Sequence, residues 1–401
     1  MKKFSFVLIF FASIFLTKTV FGLCKGNNYS INGDIRLRQV IFDNIIDLND
    51  DTDDKYNFFR FKIRLYGDYC PTENLKFYAK ITGEPRYYND PDFDDNTKNE
   101  EFIIDNLYLQ YKTGSDTIYT TTIGRQNIAL GSKMFIFDGT PLDGSRTIYM
   151  DAIKEKIKYN DINFTIFASR VKRDDPFPKI NDKDLILIEG DQYVYGLFVN
   201  GILSDSLKGE AYYYYHKIDD FDLKTNTIGS RIIKNFTNEL KASLELALQF
   251  GDYGDQDVED AYAAEITMTY SPKNILWKPE LGISFTSYSG DDPNSSDYEG
   301  LDLIYGRWPR LSELYIYTYI KEKRISLMEN LQKYTMSLKI KPRKNITFFT
   351  SASYLKAKTL FNITKNLSGH IWYEYLSPKN YYAENNRDNA YFFRYELMYK
   401  F

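Results

Sequence analysis

The sequence predicts an all-β protein, a transmembrane antiparallel β-barrel of about eighteen strands. Three observations carry that prediction. In the last stretch, Ala390 to Phe401, Tyr391, Phe393, Tyr395, Leu397, Tyr399 and Phe401 share one parity. Phe392, Arg394, Glu396, Met398 and Lys400 take the other. Side chains leave a strand on alternate faces, so this ribbon has one aromatic-rich face and one charged face, suited to lipid and to a wet interior. The second observation is the opening, Met1-Lys2-Lys3 followed by the apolar run Phe4 to Leu16 and by Val20-Phe21-Gly22, which reads as a secretory signal peptide. Cleavage after Gly22 leaves residues 23–401 as the barrel. The third is a rhythm of long and short connections along the chain, which bacterial barrels show as long outer loops and short periplasmic turns.

The elements follow in order. The first strand covers Ile31 to Phe42 and the second Asn57 to Tyr69, where Phe59, Phe61, Ile63 and Leu65 oppose Arg60, Lys62, Arg64 and Tyr66. The short turn Cys70 to Asn74 leads to a third, Leu75 to Pro85. A fourth, Glu101 to Lys112, turns at Thr113 to Asp116 into a fifth that ends near Gln126. Asn127 to Thr147, Lys172 to Gly190 and Gly251 to Asp260 read as long connections, and Asn160-Asp161, Ser204-Asp205 and Asn235 to Asn238 as tight ones. After the strand Glu280 to Ser289, one long outer loop spans about residues 290–330, the alternative being an extra hairpin and twenty strands. Then come Leu331 to Ile340 descending, Ile346 to Lys356 rising, Leu367 to Leu376 descending, Asn380 to Glu384 rising, and the last strand.

Composition fits this reading. Aromatics make up 17% of the chain and Tyr alone contributes 36 residues, a side chain whose apolar ring and polar tip suit a membrane–water interface. Beyond the signal peptide no apolar run is long enough for a spanning helix. The net charge of −4 decides nothing by itself; aspartates crowd the connections and Arg and Lys the strands. No nucleic-acid partner and no cofactor are expected. Two cysteines, Cys24 and Cys70, both fall at the periplasmic rim and are candidates for a disulfide. The two histidines, His216 and His370, each stand alone on a strand, which leaves no metal-ligand cluster and no nucleophile–base pair.

Parity puts Arg36, Arg38, Arg60, Lys62 and Arg64 on the inner face of neighbouring strands, with Lys241, Lys333, Lys339, Arg394 and Lys400 adding positive charge later. Rings of Arg and Lys in a pore favour anions, and arginine holds carboxylates with two parallel hydrogen bonds. The competing reading is that any wide polar lumen carries mixed charge. Parity fails at Ile123-Gly124-Arg125 and at Asp151 to Tyr159, where Arg125 and Glu155 would share the lipid side with isoleucines unless a bulge intervenes.

Gly124-Arg125-Gln126, then Gly131, then Phe137 to Arg146, then Asp151-Ala152-Ile153 resemble the alginate export family of outer-membrane porins. The resemblance implies a monomeric eighteen-stranded barrel that passes an anionic polysaccharide through an arginine-lined constriction. By position it implies Arg60, Arg64, Arg125, Arg146 and Asp151 as constriction candidates. The expected partners are outer-membrane lipid, an anionic or sugar solute and the barrel-assembly machinery. The alternatives are a general diffusion or sugar porin without anion specificity, a barrel enzyme, and a surface-binding protein that works through its loops.

Overall fold

A computed structural model describes residues 29–45, 48–91, 97–98, 102–137, 149–180, 188, 190–292, 294–306, 331–352, 355–376 and 388–401. Strands β1 (Tyr29–Asp43), β2 (Tyr56–Thr72) and β3 (Leu75–Gly83) open the sheet, and at one rim a short piece β4 (Arg86–Asp90) pairs with β2 and a second, β5 (Thr97–Lys98), with β4. The sheet continues through β6 (Phe102–Thr113), β7 (Thr117–Gln126), β8 (Met150–Tyr159), β9 (Ile162–Val171), β10 (Gln192–Ser204), β11 (Leu207–Ile218) and β12 (Leu223–Asn235). It is completed by β13 (Leu240–Tyr253), β14 (Gln256–Tyr270), β15 (Glu280–Tyr288), β16 (Leu331–Arg343), β17 (Ile346–Ala352), β18 (Leu355–Asn362), β19 (Leu367–Leu376) and β20 (Ala390–Lys400). With β4 and β5 set aside, eighteen antiparallel strands remain, and β20 pairs with β1 to close them into a barrel. Arg38 stands opposite Glu396 across that seam, and Gly33 and Phe401 exchange backbone hydrogen bonds of 2.9 and 3.0 Å.

The two faces separate as the alternation requires. Leu65, Ile81, Leu107, Ile123, Ile166, Leu197, Ile228, Leu246 and Leu248 are exposed, whereas their chain neighbours on the opposite parity are buried or polar. A soluble sheet would cover such a band, since exposed contiguous apolar surface is costly in water. At the rim that carries the short turns, Tyr29, Tyr69, Phe77, Tyr111, Tyr119, Tyr159, Tyr270 and Phe401 are also exposed. That belt of aromatic rings is where a bilayer interface accepts them.

The interior is partly filled by the barrel's own loops. The segment after β7 folds back as a hairpin, with Leu130 N–H donating to the Ile136 carbonyl. The described part of the loop after β15 turns inward and buries Leu301, Leu303, Ile304 and Tyr305. The two segments meet: Tyr305 N–H donates to the Phe135 carbonyl at 2.9 Å, and a Cβ on Gly306 would lie 1.6 Å from the Met134 carbonyl oxygen. Only glycine permits that approach. Met134, Phe135, Ile136 and the Leu301–Tyr305 segment pack on inward side chains Phe167, Val194, Phe198, Tyr212, Tyr214, Ala247 and Tyr288. Each fully buried apolar side chain of this kind contributes about 1.5–3 kcal/mol.

Several expectations are corrected. Gly251 to Asp260 is not a long loop; β13 and β14 run on to a tight turn between Tyr253 and Gln256. The strand expected over Ile346 to Lys356 ends at Ala352, and a further strand, β18, follows. As a result β19 runs in the sense opposite to the one expected, and the strand placed at Asn380 to Glu384 falls outside the described residues. The tally of eighteen stands while its last third is partitioned differently. In the Tyr212–Tyr215 run, Tyr212 and Tyr214 point inward and are buried, while Tyr213 is exposed.

Candidate functional site

The inward cations of β1 and β2 lie in one ion-paired patch beside the seam. Arg36 bonds Glu84 at 2.5 Å, and Arg60 bonds the same carboxylate. Arg38 bonds Glu396 at 2.5 Å and Arg64 bonds Asp34 at 2.8 Å. Lys62 is buried among them. Arg394 donates to His370 Nε2 at 3.1 Å and lies over the Trp372 ring at 4.5 Å. The Glu84 carboxylate is buried between Arg36 and Arg60, and these two ion pairs offset its loss of hydration. Arg36, Arg38 and Arg60 with Glu84 and Glu396 are thus desolvated and paired, the condition under which a buried ion pair persists. The counter-ions Glu84, Glu396 and Asp34 were not singled out in the sequence. Glu396 was discoverable: once β20 is taken to close on β1, it falls directly opposite Arg38.

Arg125 occupies a second, separate place. Gly124 takes φ +120° between an exposed Ile123 and a buried Arg125, yet its pairing with β6 and β8 runs on without a register shift, so the expected bulge is absent and Arg125 is buried by the groups that pack over it. The guanidinium bonds Asp151 at 2.9 Å, Asp175 at 3.0 Å and the Ile104 carbonyl at 3.0 Å. It lies 4.0 Å from the centroids of both Tyr149 and Phe177. Tyr149 donates to Asp175 at 2.5 Å and completes the clamp. Its position pins the segment after β9 to the wall. Glu155, on the outer parity of β8, accepts a hydrogen bond from Thr121 at 2.5 Å. Arg146 and Cys24 lie outside the described residues; Cys70 sits near the end of β2.

A third arrangement fastens the inward loop. Asp302 Oδ2 lies 2.5 Å from His216 Nδ1 on β11 and accepts from the Thr225 hydroxyl on β12 at 2.9 Å. Its Oδ1 accepts from the Ile304 N–H at 2.8 Å. The Gln249 amide on β13 donates to the Asp302 carbonyl at 2.6 Å and accepts from the Asp302 N–H at 2.9 Å. Burial pushes against ionisation of Asp302, yet these contacts, His216 foremost, keep its carboxyl below the ordinary range. The hydroxyl bonds the acid rather than the imidazole, so His216, Asp302 and Thr225 do not form a nucleophile–base–acid relay.

Exposed cations on the inner face sit elsewhere. Lys112, Lys156, Lys158, Lys208 and Lys241 point inward by parity and are exposed, and none has a carboxylate partner among the described residues. They occupy the half of the barrel nearest the short turns. Inner-face carboxylates on neighbouring strands, Glu210, Glu245 and Glu265, are buried or half-buried.

No curated protein matches the chain. Among solved structures, OccK5 (OpdH) of Pseudomonas aeruginosa is similar with a TM-score of 0.57 and 13% identity, over 92% of this chain and 97% of that one. OpdQ of the same organism gives 0.56 and 14%, over 93% and 98%. The outer-membrane protein opdK, also from Pseudomonas aeruginosa, gives 0.56 and 8%, over 93% and 99%. At such identities the likeness is one of fold. The alginate export family matches residues 28–359. A closed barrel with an exposed apolar band, an aromatic belt and this match together place the chain in the bacterial outer membrane as a channel rather than an enzyme, and the chain belongs to the alginate export family.

Proposed function

We propose that this outer-membrane channel passes anionic, carboxylate-bearing sugar chains of the uronic-acid class, alginate among them, in preference to cations and neutral sugars. The observation that carries the reading is the set of exposed, unpartnered inward lysines on β6, β8, β11 and β13. Fixed cations along a wet passage raise the local concentration of anions and exclude cations. The patch of Arg36, Arg38, Arg60, Lys62, Arg64 and Arg394 supports it. There the cations line one stretch of the inner wall and are held in place by Asp34, Glu84 and Glu396. Arg125, Arg146 and Asp151 belong to the same proposal as supports of the loops that narrow the passage. The working unit is a monomer inserted by the barrel-assembly machinery.

The test is reversal potential in planar bilayers under a salt gradient, repeated with uronate oligomers as blockers. Anion preference and block by the oligomers are expected. A cation preference, or indifference to uronates with passage of neutral sugars, would leave a general diffusion porin.

A further inference from the structure

Below the tip of the hairpin that follows β7 lies a cavity of about 310 Å³. Its ceiling is Ala129, Leu130 and Gly131, and its wall includes Ile118 and Thr120 on β7, Lys156 to Lys158 on β8, Asn163 and Thr165 on β9, and Phe198 and Asn200 on β10. That volume lies at the lower end of the range of small-molecule pockets. The chemistry of the lining is uneven. Lys156 and Lys158 stand two positions apart on the inner face, exposed and without a carboxylate partner among the described residues. Asn163 and Asn200 face each other across β9 and β10, joined by one amide hydrogen bond of 2.9 Å. That bond uses one N–H of Asn163 and the oxygen of Asn200, so the Asn163 oxygen and the Asn200 amide hydrogens remain for a ligand. Thr120 and Thr165 add hydroxyls. Ile118, Ile157, Leu130 and the edge of Phe198, whose ring stacks on Tyr212, supply the apolar part of the lining. Glu210 approaches at the Gly131 end, where Arg231 lies 3.5 Å from its carboxylate and offsets its charge.

Two ammonium groups with nearby amides, hydroxyls and apolar lining match one kind of ligand: a ring with several hydroxyls and a carboxylate. A simple anion would need no amide pair, and a neutral sugar would need no lysines. We propose that this niche is a binding subsite for one acidic sugar residue in the half of the barrel nearest the short turns. The inference rests on the channel reading above and adds to it a place and a set of residues.

The experiment is single-channel current block by a uronate trisaccharide, with maltotriose and citrate as comparison probes, on the full chain in planar bilayers. Lys156→Gln/Lys158→Gln is expected to shorten the residence of the uronate blocker about tenfold, the scale of a lost charge-assisted contact. Asn200→Ala is expected to shorten it about threefold while leaving chloride-over-potassium preference and citrate block unchanged. Lys158→Arg keeps the charge and should keep most of the block. Heat-shifted gel mobility reports that each variant is folded, and these side chains are exposed or lie in a polar wall. If uronate block is intact in both the lysine and the asparagine variants, the niche is not the site although the channel reading stands. If the lysine variant alone changes block, in step with its chloride preference, the effect is general electrostatics and the niche is again refuted. If the wild type is blocked by no acidic sugar, the channel reading falls and the niche with it.

Discussion

Glu396 faces two guanidinium groups, Arg36 and Arg38, where almost no solvent reaches. Neutralising it leaves both cations short of compensation, and breaking such a buried pair costs about 3–5 kcal/mol. Glu396→Gln is therefore expected to lower stability by about 3 kcal/mol, seen as an earlier urea midpoint in detergent. Glu396→Gln combined with Arg38→Met should recover much of the loss. Asp302 makes a prediction about acidity. A carboxyl whose folded pKa is depressed stabilises at any pH above its ordinary value, and that contribution is lost as pH falls through the folded value. The inward loop should thus stay fastened from neutrality down to the ordinary carboxylate range and come loose only below it. Conductance measured against pH should rise as pH falls below that range.

At the scale of elements, the contact of Gly306 with the Met134 carbonyl joins two inward segments that share no strand. Gly306→Val cannot keep that contact, so the loop after β15 should withdraw and single-channel conductance should rise at least about twofold, the apolar contacts it forfeits being worth a few kcal/mol. A variant with unchanged conductance would show that these loops do not narrow the passage. The hairpins themselves were readable from period-two alternation, and the inner and outer faces came with it, because a strand has no other way to direct its side chains. What escaped was the reversal of direction from β17 to β18. Ser351-Ala352-Ser353-Tyr354 carries no Gly, Pro, Asn or Asp, so nothing in it announces a reversal. The inward course of the loop after β15 was equally hidden. Its anchor is made by His216, Thr225 and Gln249 on three strands far away in sequence, and a histidine that looks solitary along the chain acquires its partner only through tertiary contact.

For the molecule as a whole, the hydrophobic band and the aromatic belt together predict behaviour in solution. The folded chain should need detergent or lipid, and should migrate differently on gels before and after boiling, since a closed barrel resists unfolding by detergent alone. The charge patch near the seam was visible as a run of basic residues, but not its neutralisation. The carboxylates that balance it come from Glu84, beyond the end of β3, and from Glu396, which is 358 positions from Arg38. Alternation tells which way a side chain points, and only the ring's closure tells whom it meets.

The pairing of β1 with β20 also constrains how the molecule is made. Apart from the short pieces β4 and β5, every other joint of the barrel links strands that follow one another along the chain, whereas this one requires the two most distant strands to find each other. Until they do, the growing sheet has two raw edges whose amides and carbonyls will pair with any passing strand. A cell exporting this polypeptide must therefore shield an unfinished ring for the whole interval between the emergence of β1 and the arrival of β20.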